Sequence, residues 1–294
     1  MRALIREGGT VRLVEVPRPQ RREDQALIRV IVVGICRTDL HVAAGKVPCA
    51  DPITLGHELF GRVIDAGAAG PLPGTPVTVN PAIGEGFLGV THHGAFADEI
   101  VVPISNLHVL PELDPRAGAY VEPVAAALAV PEAIFDHAAR AAVAGPAWRV
   151  GVAGDNRFAA LVARVLEHEG FTVQPIDGAS SANQIDVGVE TTGTAEELAM
   201  LVDAVVPGGL VILKSRNPAP VALPIGVIVA KRIAMLGVRY GSFERAIELV
   251  GELDLRALFG DTLPIERWEE AFARARAGEA SKLFLRLGDD PCVA

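Results

Sequence analysis

The chain has 294 residues, of which 50% are hydrophobic and 21% charged, an ordinary globular composition with room for two domains. Its formal net charge of −9 argues against broad nucleic-acid binding, and its apolar runs are cut by Pro, Gly and charges well short of a membrane span. Three scattered cysteines (Cys36, Cys49, Cys292) are too few for a disulfide framework, and no basic-then-apolar leader opens the chain. A soluble, cytoplasmic protein is expected, with neither nucleic acid nor membrane as partner.

The first third is rich in β signals. A first strand is expected from Met1, then strands over 11–16, 25–33, 58–66, 75–79, 95–102 and 107–110, separated by Gly- and Pro-rich turns. Many short strands with few helices point to a compact, barrel-like β domain. The character changes near Glu122. An Ala-, Val- and Leu-rich stretch over 124–135 reads as buried helix, and a β–α alternation follows: strands over 149–153, 171–176, 185–190, 210–213 and 233–238, with helices between. Thr194 and Glu197 form a capping-box pattern for the helix that Pro207-Gly208-Gly209 is expected to end. This alternation implies a parallel, doubly wound sheet, so the fold class is α/β. The expected domains are 1–121 with 263–294, and 122–262, the closing strand at 282–287 returning to the first domain's sheet.

Two stretches carry the chemistry. Gly34-Ile35-Cys36-Arg37-Thr38-Asp39-Leu40-His41 is followed downstream by Gly56-His57-Glu58. Together they supply a thiolate, an imidazole and a carboxylate, enough for one zinc ion with an open position, plus a hydroxyl and a second imidazole that could pass a proton.

These stretches resemble the medium-chain dehydrogenase/reductase superfamily, of the zinc-dependent alcohol dehydrogenase type, and within it the sorbitol- and threonine-dehydrogenase-like branch. Gly61, Asn80-Pro81, Gly94-Ala95-Phe96-Ala97-Asp98, Val121-Glu122-Pro123, Gly193, Pro207-x-Gly209 and Lys282-Leu283-Phe284-Leu285 extend the resemblance over nearly the whole chain. It implies a GroES-like β-barrel catalytic domain, completed by the C-terminus, and a Rossmann-type cofactor domain. It also implies one catalytic zinc held by Cys36, His57 and a carboxylate, Glu58 or Glu122. One thiolate, one neutral imidazole and one carboxylate cancel the charge of the ion. A second carboxylate would weaken the metal's power to acidify what it binds, so only one of the two glutamates is expected to bind tightly at a time. Thr38 would hand a proton outward, with His41 as the next station; Glu58 counts with them among the catalytic groups, and whichever of Glu58 and Glu122 is not the tight ligand would exchange with water or help from outside the ligand shell.

Two features depart from the family. The lobe with four closely spaced cysteines that holds a structural zinc is missing from the stretch 79–89. The dinucleotide fingerprint is also altered. Aligned with the three-glycine pattern, the chain reads Gly154-Asp155-Asn156-Arg157-Phe158-Ala159. Asn156, which tolerates left-handed backbone, is expected to keep the turn while crowding the phosphate. Asp155 puts negative charge at a helix N-terminus, and Arg157 could compensate. Asp177 ends the second strand where a ribose hydroxyl would be bound, which favours NAD over NADP. Only residues 178–184 separate it from the next strand, so a helix and an edge strand are expected to be missing.

The leading expectation is a zinc-dependent oxidoreductase transferring a hydride between NAD(H) and a secondary alcohol or ketone. The alternatives are a non-redox zinc enzyme of lyase, hydratase or cyclase type that has lost nicotinamide binding, and a binding protein with a vestigial site. A small molecule is the expected substrate. A homodimer paired through the edge strand at 233–238 is the expected assembly.

Overall fold

The computed structural model describes residues 1–141, 148–178, 182–216 and 219–288, so Cys292 and part of the 178–184 connection lie outside the described residues. The chain forms two compact units, one comprising Met1–Glu122 and the segment from Phe243 onward, the other Pro123–Ser242. No helix among the described residues is long and apolar enough to cross a membrane.

Unit 1 opens with β1 (Arg2–Glu7) and β2 (Thr10–Glu15), the long strand β3 (Gln25–Gly34), the short helix α1 (Arg37–Ala43), β4 (Ile53–Thr54), β5 (Glu58–Asp65) and β6 (Pro76–Val79). A small hairpin, β7 (Ala82–Ile83) and β8 (Gly86–Phe87), occupies the stretch where the cysteine lobe is missing. Then come β9 (Glu99–Pro103), β10 (Leu107–Val109) and α2 (Pro115–Ala119), which Asp114 caps by accepting from the Arg116 N–H. Helix α3 (Val121–Ala141) leads into unit 2.

Unit 2 alternates β11 (Arg149–Ala153), α4 (Arg157–His168), β12 (Thr172–Ile176), β13 (Ile185–Glu190), α5 (Ala195–Ala204), β14 (Val205–Leu213), α6 (Ile225–Lys231) and β15 (Ala234–Gly237). The chain returns to unit 1 with α7 (Phe243–Glu252), β16 (Phe259–Pro264), α8 (Trp268–Arg276) and β17 (Lys282–Arg286).

In unit 1, β2-β1-β4 form one sheet and β10-β6-β5-β3-β17-β16 a second, with β9 also paired to β3. The strand β3 is central in its sheet and buried along most of its length, and its last residue, Gly34, pairs with Glu58 on one side and Phe284 on the other. The closing strand β17 therefore lands antiparallel to β3 and delivers the side chains at its start to the start of β5. One apolar core, including Leu4, Ile28, Phe96, Phe272 and Leu285, joins the N-terminal strands to the returning C-terminal elements.

In unit 2, all neighbouring strands are parallel in the order β12-β11-β13-β14-β15. The chain steps outward from β11 to β12 and then returns to the far side of β11 as β13. The order thus reverses between β11 and β13, and ligands in such sheets bind beyond the strand ends at this switch point. The strand β12 forms one edge, as the short 178–184 connection implies.

Three expectations are corrected. The return to unit 1 comes at Phe243 and not at 263, because α7 packs on unit 1: the Phe243 ring stacks on His108, with centroids 4.7 Å apart and planes 14° from parallel. Helix α5 ends at Ala204, and Pro207-Gly208-Gly209 falls inside β14, where the register with β13 shifts between Ile185 and Val187. A proline cannot donate to a ladder, so it loops out as an irregularity. Glu197 does not close the expected capping box. Thr194 accepts from the Glu197 N–H, but the carboxylate, 4% exposed, turns to the Thr191 N–H (2.8 Å) and the Thr192 hydroxyl.

Candidate functional site

Cys36 follows the end of β3 and sits at the N-cap of α1 with an extended backbone (φ −95°, ψ 155°). Three residues on, the Asp39 carboxylate reaches back to accept from the Cys36 N–H (2.9 Å) and also accepts from the Gly56 N–H (3.1 Å). Asp39 is 1% exposed, and its Oδ1 lies 3.2 Å from Nδ1 of His57, which is equally buried. One buried carboxylate thus fixes the start of α1, the residue before His57, and the face of the imidazole. The Phe87 ring closes over His57 at 5.1 Å, tilted by 59°. With Nδ1 held towards Asp39, Nε2 is the nitrogen left for a metal, the usual carboxylate–histidine arrangement at metal sites.

Glu58, 2% exposed, begins β5 directly after His57. Its Oε2 meets Nζ of Lys282, the first residue of β17. The ammonium is itself 6% exposed and lies 6.0 Å from the centroid of the Tyr120 ring. Gly34 makes this pairing sterically feasible: a Cβ there would stand 2.4 Å from Glu58 Oε2 and 2.8 Å from Lys282 Cε.

Cys36, His57 and Glu58 each offer a ligand atom, and these atoms lie within 4.8 Å of one another. His57 Nδ1 and Glu58 Oε2 are buried without an aligned hydrogen bond, although each lies within ion-pair distance of its neighbour, Asp39 or Lys282. A thiolate, an imidazole and a carboxylate converging from three sides fit zinc, and three protein ligands leave the fourth position open. Glu122, buried in the first turn of α3, lies outside this group of three. Thr38 and His41 stand one turn apart on α1, both half-buried.

The electrostatics follow from the packing. Burial opposes protonation of His57, but the carboxylate of Asp39 and the sulfur of Cys36 outweigh it and raise the imidazole pKa well above its usual value. For His41, burial acts first and the positive Arg37 and Lys46 add to it, so its pKa falls below the ordinary value and the ring is neutral at pH 7.

Of the residues read as cofactor contacts, Gly154 to Arg157 follow β11 at the switch point of unit 2, and Asp177 follows the edge strand β12. Gly154 takes the left-handed backbone (φ +103°), whereas Asn156 is extended (φ −151°). The turn is therefore kept by the one remaining glycine, correcting the expectation that Asn156 would supply it. Asn156 instead caps α4, its Oδ1 accepting from the Phe158 (3.0 Å) and Ala159 (3.1 Å) N–H groups. Asp155 is exposed, Arg157 half-buried at the start of α4, and Asp177 exposed directly after β12. The donors that would meet a dinucleotide's pyrophosphate hold the chain's own carboxamide, so the site fits a dinucleotide only with the Asn156 side chain displaced.

A cysteine, histidine and glutamate trio in one unit and a doubly wound parallel sheet in the other are the parts that a zinc-dependent dehydrogenase would need. Residues 22–112 match the alcohol dehydrogenase GroES-like domain family. The L-threonine 3-dehydrogenase of Saccharopolyspora erythraea is 26% identical over 97% of this chain and 98% of its own. The sorbitol dehydrogenase of Halalkalibacterium halodurans is 25% identical over 97% and 99%. The first alignment runs over 358 positions, so that relative carries residues with no counterpart in this 294-residue chain. Among solved structures, the Haloferax mediterranei glucose dehydrogenase in complex with NADP, Zn and gluconolactone superposes with a TM-score of 0.81 at 20% identity, over 99% of this chain and 100% of that one. Residues 22–112 thus resemble the GroES-like domain of alcohol dehydrogenases, and nearly the whole chain is similar to enzymes named as threonine and sorbitol dehydrogenases.

Lys282 was not singled out as a functional residue at the sequence level. The available signal was a lysine opening an otherwise apolar strand, Lys-Leu-Phe-Leu, which in a buried strand needs a counter-charge.

Two outcomes are expected. In the metal-free protein the raised His57 pKa means that its proton stabilises the fold below the ordinary imidazole range, and this contribution is lost as pH rises through the raised value. Zinc must displace that proton and any on the Cys36 sulfur, so competition with a chromophoric chelator should show affinity rising at least about tenfold per pH unit, with at least one proton released per ion; a flat profile contradicts the assignment. Replacing Lys282 with Met strands a buried carboxylate. Denaturant unfolding should show a loss of about 3–5 kcal/mol in the metal-free protein and a smaller loss with zinc bound; equal losses would separate Glu58 from the metal.

Proposed function

We propose that this protein is a zinc-dependent oxidoreductase interconverting a secondary alcohol and a ketone, with a nicotinamide dinucleotide as hydride partner. The observation that carries the reading is the buried, convergent trio Cys36, His57 and Glu58 in a chain similar over nearly its whole length to threonine and sorbitol dehydrogenases.

Cys36, His57 and Glu58 would hold the ion, and Glu122 would be the carboxylate that exchanges with Glu58. Zinc held there supplies Lewis-acid polarisation of an alcohol or carbonyl oxygen. The chain's own groups do the rest. Asp39 fixes the tautomer and orientation of the His57 ring. Lys282 is the counter-charge of Glu58 and would hold that carboxylate whenever it is not on the ion. The Thr38 hydroxyl passes the substrate proton outward, and His41, neutral because of its burial and its cationic neighbours, receives it. Asp177 reads a ribose hydroxyl and so favours NAD over NADP.

A cytoplasmic setting suits a thiolate ligand, since it keeps Cys36 reduced. A homodimer is the assembly this reading favours. The strand β15 ends its sheet among the described residues, and Ile225, Val227 and Val229 on the nearby α6, together with Leu236 on β15, are exposed apolar side chains.

Zinc-loaded protein, screened against secondary alcohols and polyols with NAD and with NADP, should reduce the dinucleotide, and Asp39→Asn should lower zinc affinity or turnover roughly 10–100-fold. No turnover with any alcohol and either dinucleotide would falsify the reading. Size-exclusion chromatography with light scattering is expected to give twice the chain mass, and charged substitutions at Val227 and Leu236 should yield monomer; a monomeric native protein rejects the dimer.

A further inference from the structure

The switch point of unit 2 is bridged by the chain itself. Besides capping α4, Asn156 donates through Nδ2 to Thr191 Oγ1 (2.9 Å), and the Thr191 hydroxyl donates to the Ala153 carbonyl (2.7 Å). Ala153 ends β11 and Thr191 follows β13, so this chain of side chains ties together the two strand ends between which the sheet order reverses. Thr191 is 1% exposed and is held from the other side, its N–H donating to the buried Glu197. The space over Gly154 is filled as well: a Cβ there would stand 2.3 Å from Thr191 Oγ1 and 2.9 Å from Asn156 Nδ2.

In a dinucleotide-binding sheet, the residue at the Asn156 position is a glycine, so that the pyrophosphate can approach the backbone and the helix N-terminus. Here the carboxamide oxygen takes the same N–H groups that a phosphate oxygen would take. We propose that Asn156 is a specificity-determining latch. Its side chain occupies the pyrophosphate subsite, so that a dinucleotide binds only by displacing it from α4 and from Thr191. The inference rests on the reading of a nicotinamide dinucleotide as the cofactor.

Displacement breaks a helix cap and a side-chain hydrogen bond, which together lower dinucleotide affinity by roughly tenfold to thirtyfold. Glycine at a cap costs a helix little compared with asparagine, so Asn156→Gly keeps the fold. Asn156→Ser retains a capping oxygen but is too short to hold Thr191, and provides a second variant.

The test is equilibrium titration of NADH, followed by its fluorescence, into the wild-type protein and both variants, with adenosine as a ligand lacking phosphate. Asn156→Gly should bind NADH at least about tenfold more tightly than wild type, with Asn156→Ser between them and adenosine unchanged. If NADH binds wild type and Asn156→Gly equally, or the glycine variant more weakly, the latch is overturned while the cofactor reading stands. A matching gain for adenosine overturns the assignment to the phosphate. If neither wild type nor variants bind NADH at millimolar concentration, the latch and the cofactor reading fall together.

Discussion

The site depends on one contact between the two ends of unit 1, the buried pair of Glu58 and Lys282. Glu58 opens β5 and Lys282 opens β17, and both reach across the end of β3 at Gly34, where no side chain stands between them. Neither group could remain ionised alone at this depth. The closing strand is therefore part of the metal centre's electrostatics as well as of the sheet. It also holds apolar residues of the common core, so the same segment that completes the fold completes the charge balance.

Around this pair, the centre is arranged by a second buried carboxylate. Asp39 binds the backbone of Cys36 and Gly56 and faces the ring of His57, so two of the three ligands share one support, while the third, Glu58, is held by Lys282. The site thus holds two carboxylates and a sulfur against one lysine and one imidazole. With the sulfur as thiolate and the imidazole neutral, as a metal requires of its ligands, these groups carry a net charge of about −2, which a divalent ion would cancel.

Much of this was legible in the sequence. The spacing of Cys36 and Gly56-His57-Glu58 marked the centre, and the alternation from 149 to 190 marked the parallel sheet, because period and turn residues are local signals. What escaped depends on distant partners. The amphipathic pattern of α7 says that one face is buried but not against what, and it packs on unit 1. The charge count made on the two glutamates omitted Lys282, since over two hundred positions separate it from Glu58 and only the β3–β17 pairing brings them together. Asn156 was recognisable as an obstacle to phosphate. Its partnership with Thr191 was not, because it crosses from one strand end to another.

The central claim is a single zinc ion bound by one sulfur and by nitrogen and oxygen. X-ray absorption at the zinc edge of the loaded protein tests it most directly. The account predicts one sulfur at about 2.3 Å and nitrogen or oxygen ligands at about 2.0–2.2 Å, with the sulfur shell lost in Cys36→Ser. A first shell without sulfur, or with several sulfurs, would contradict it.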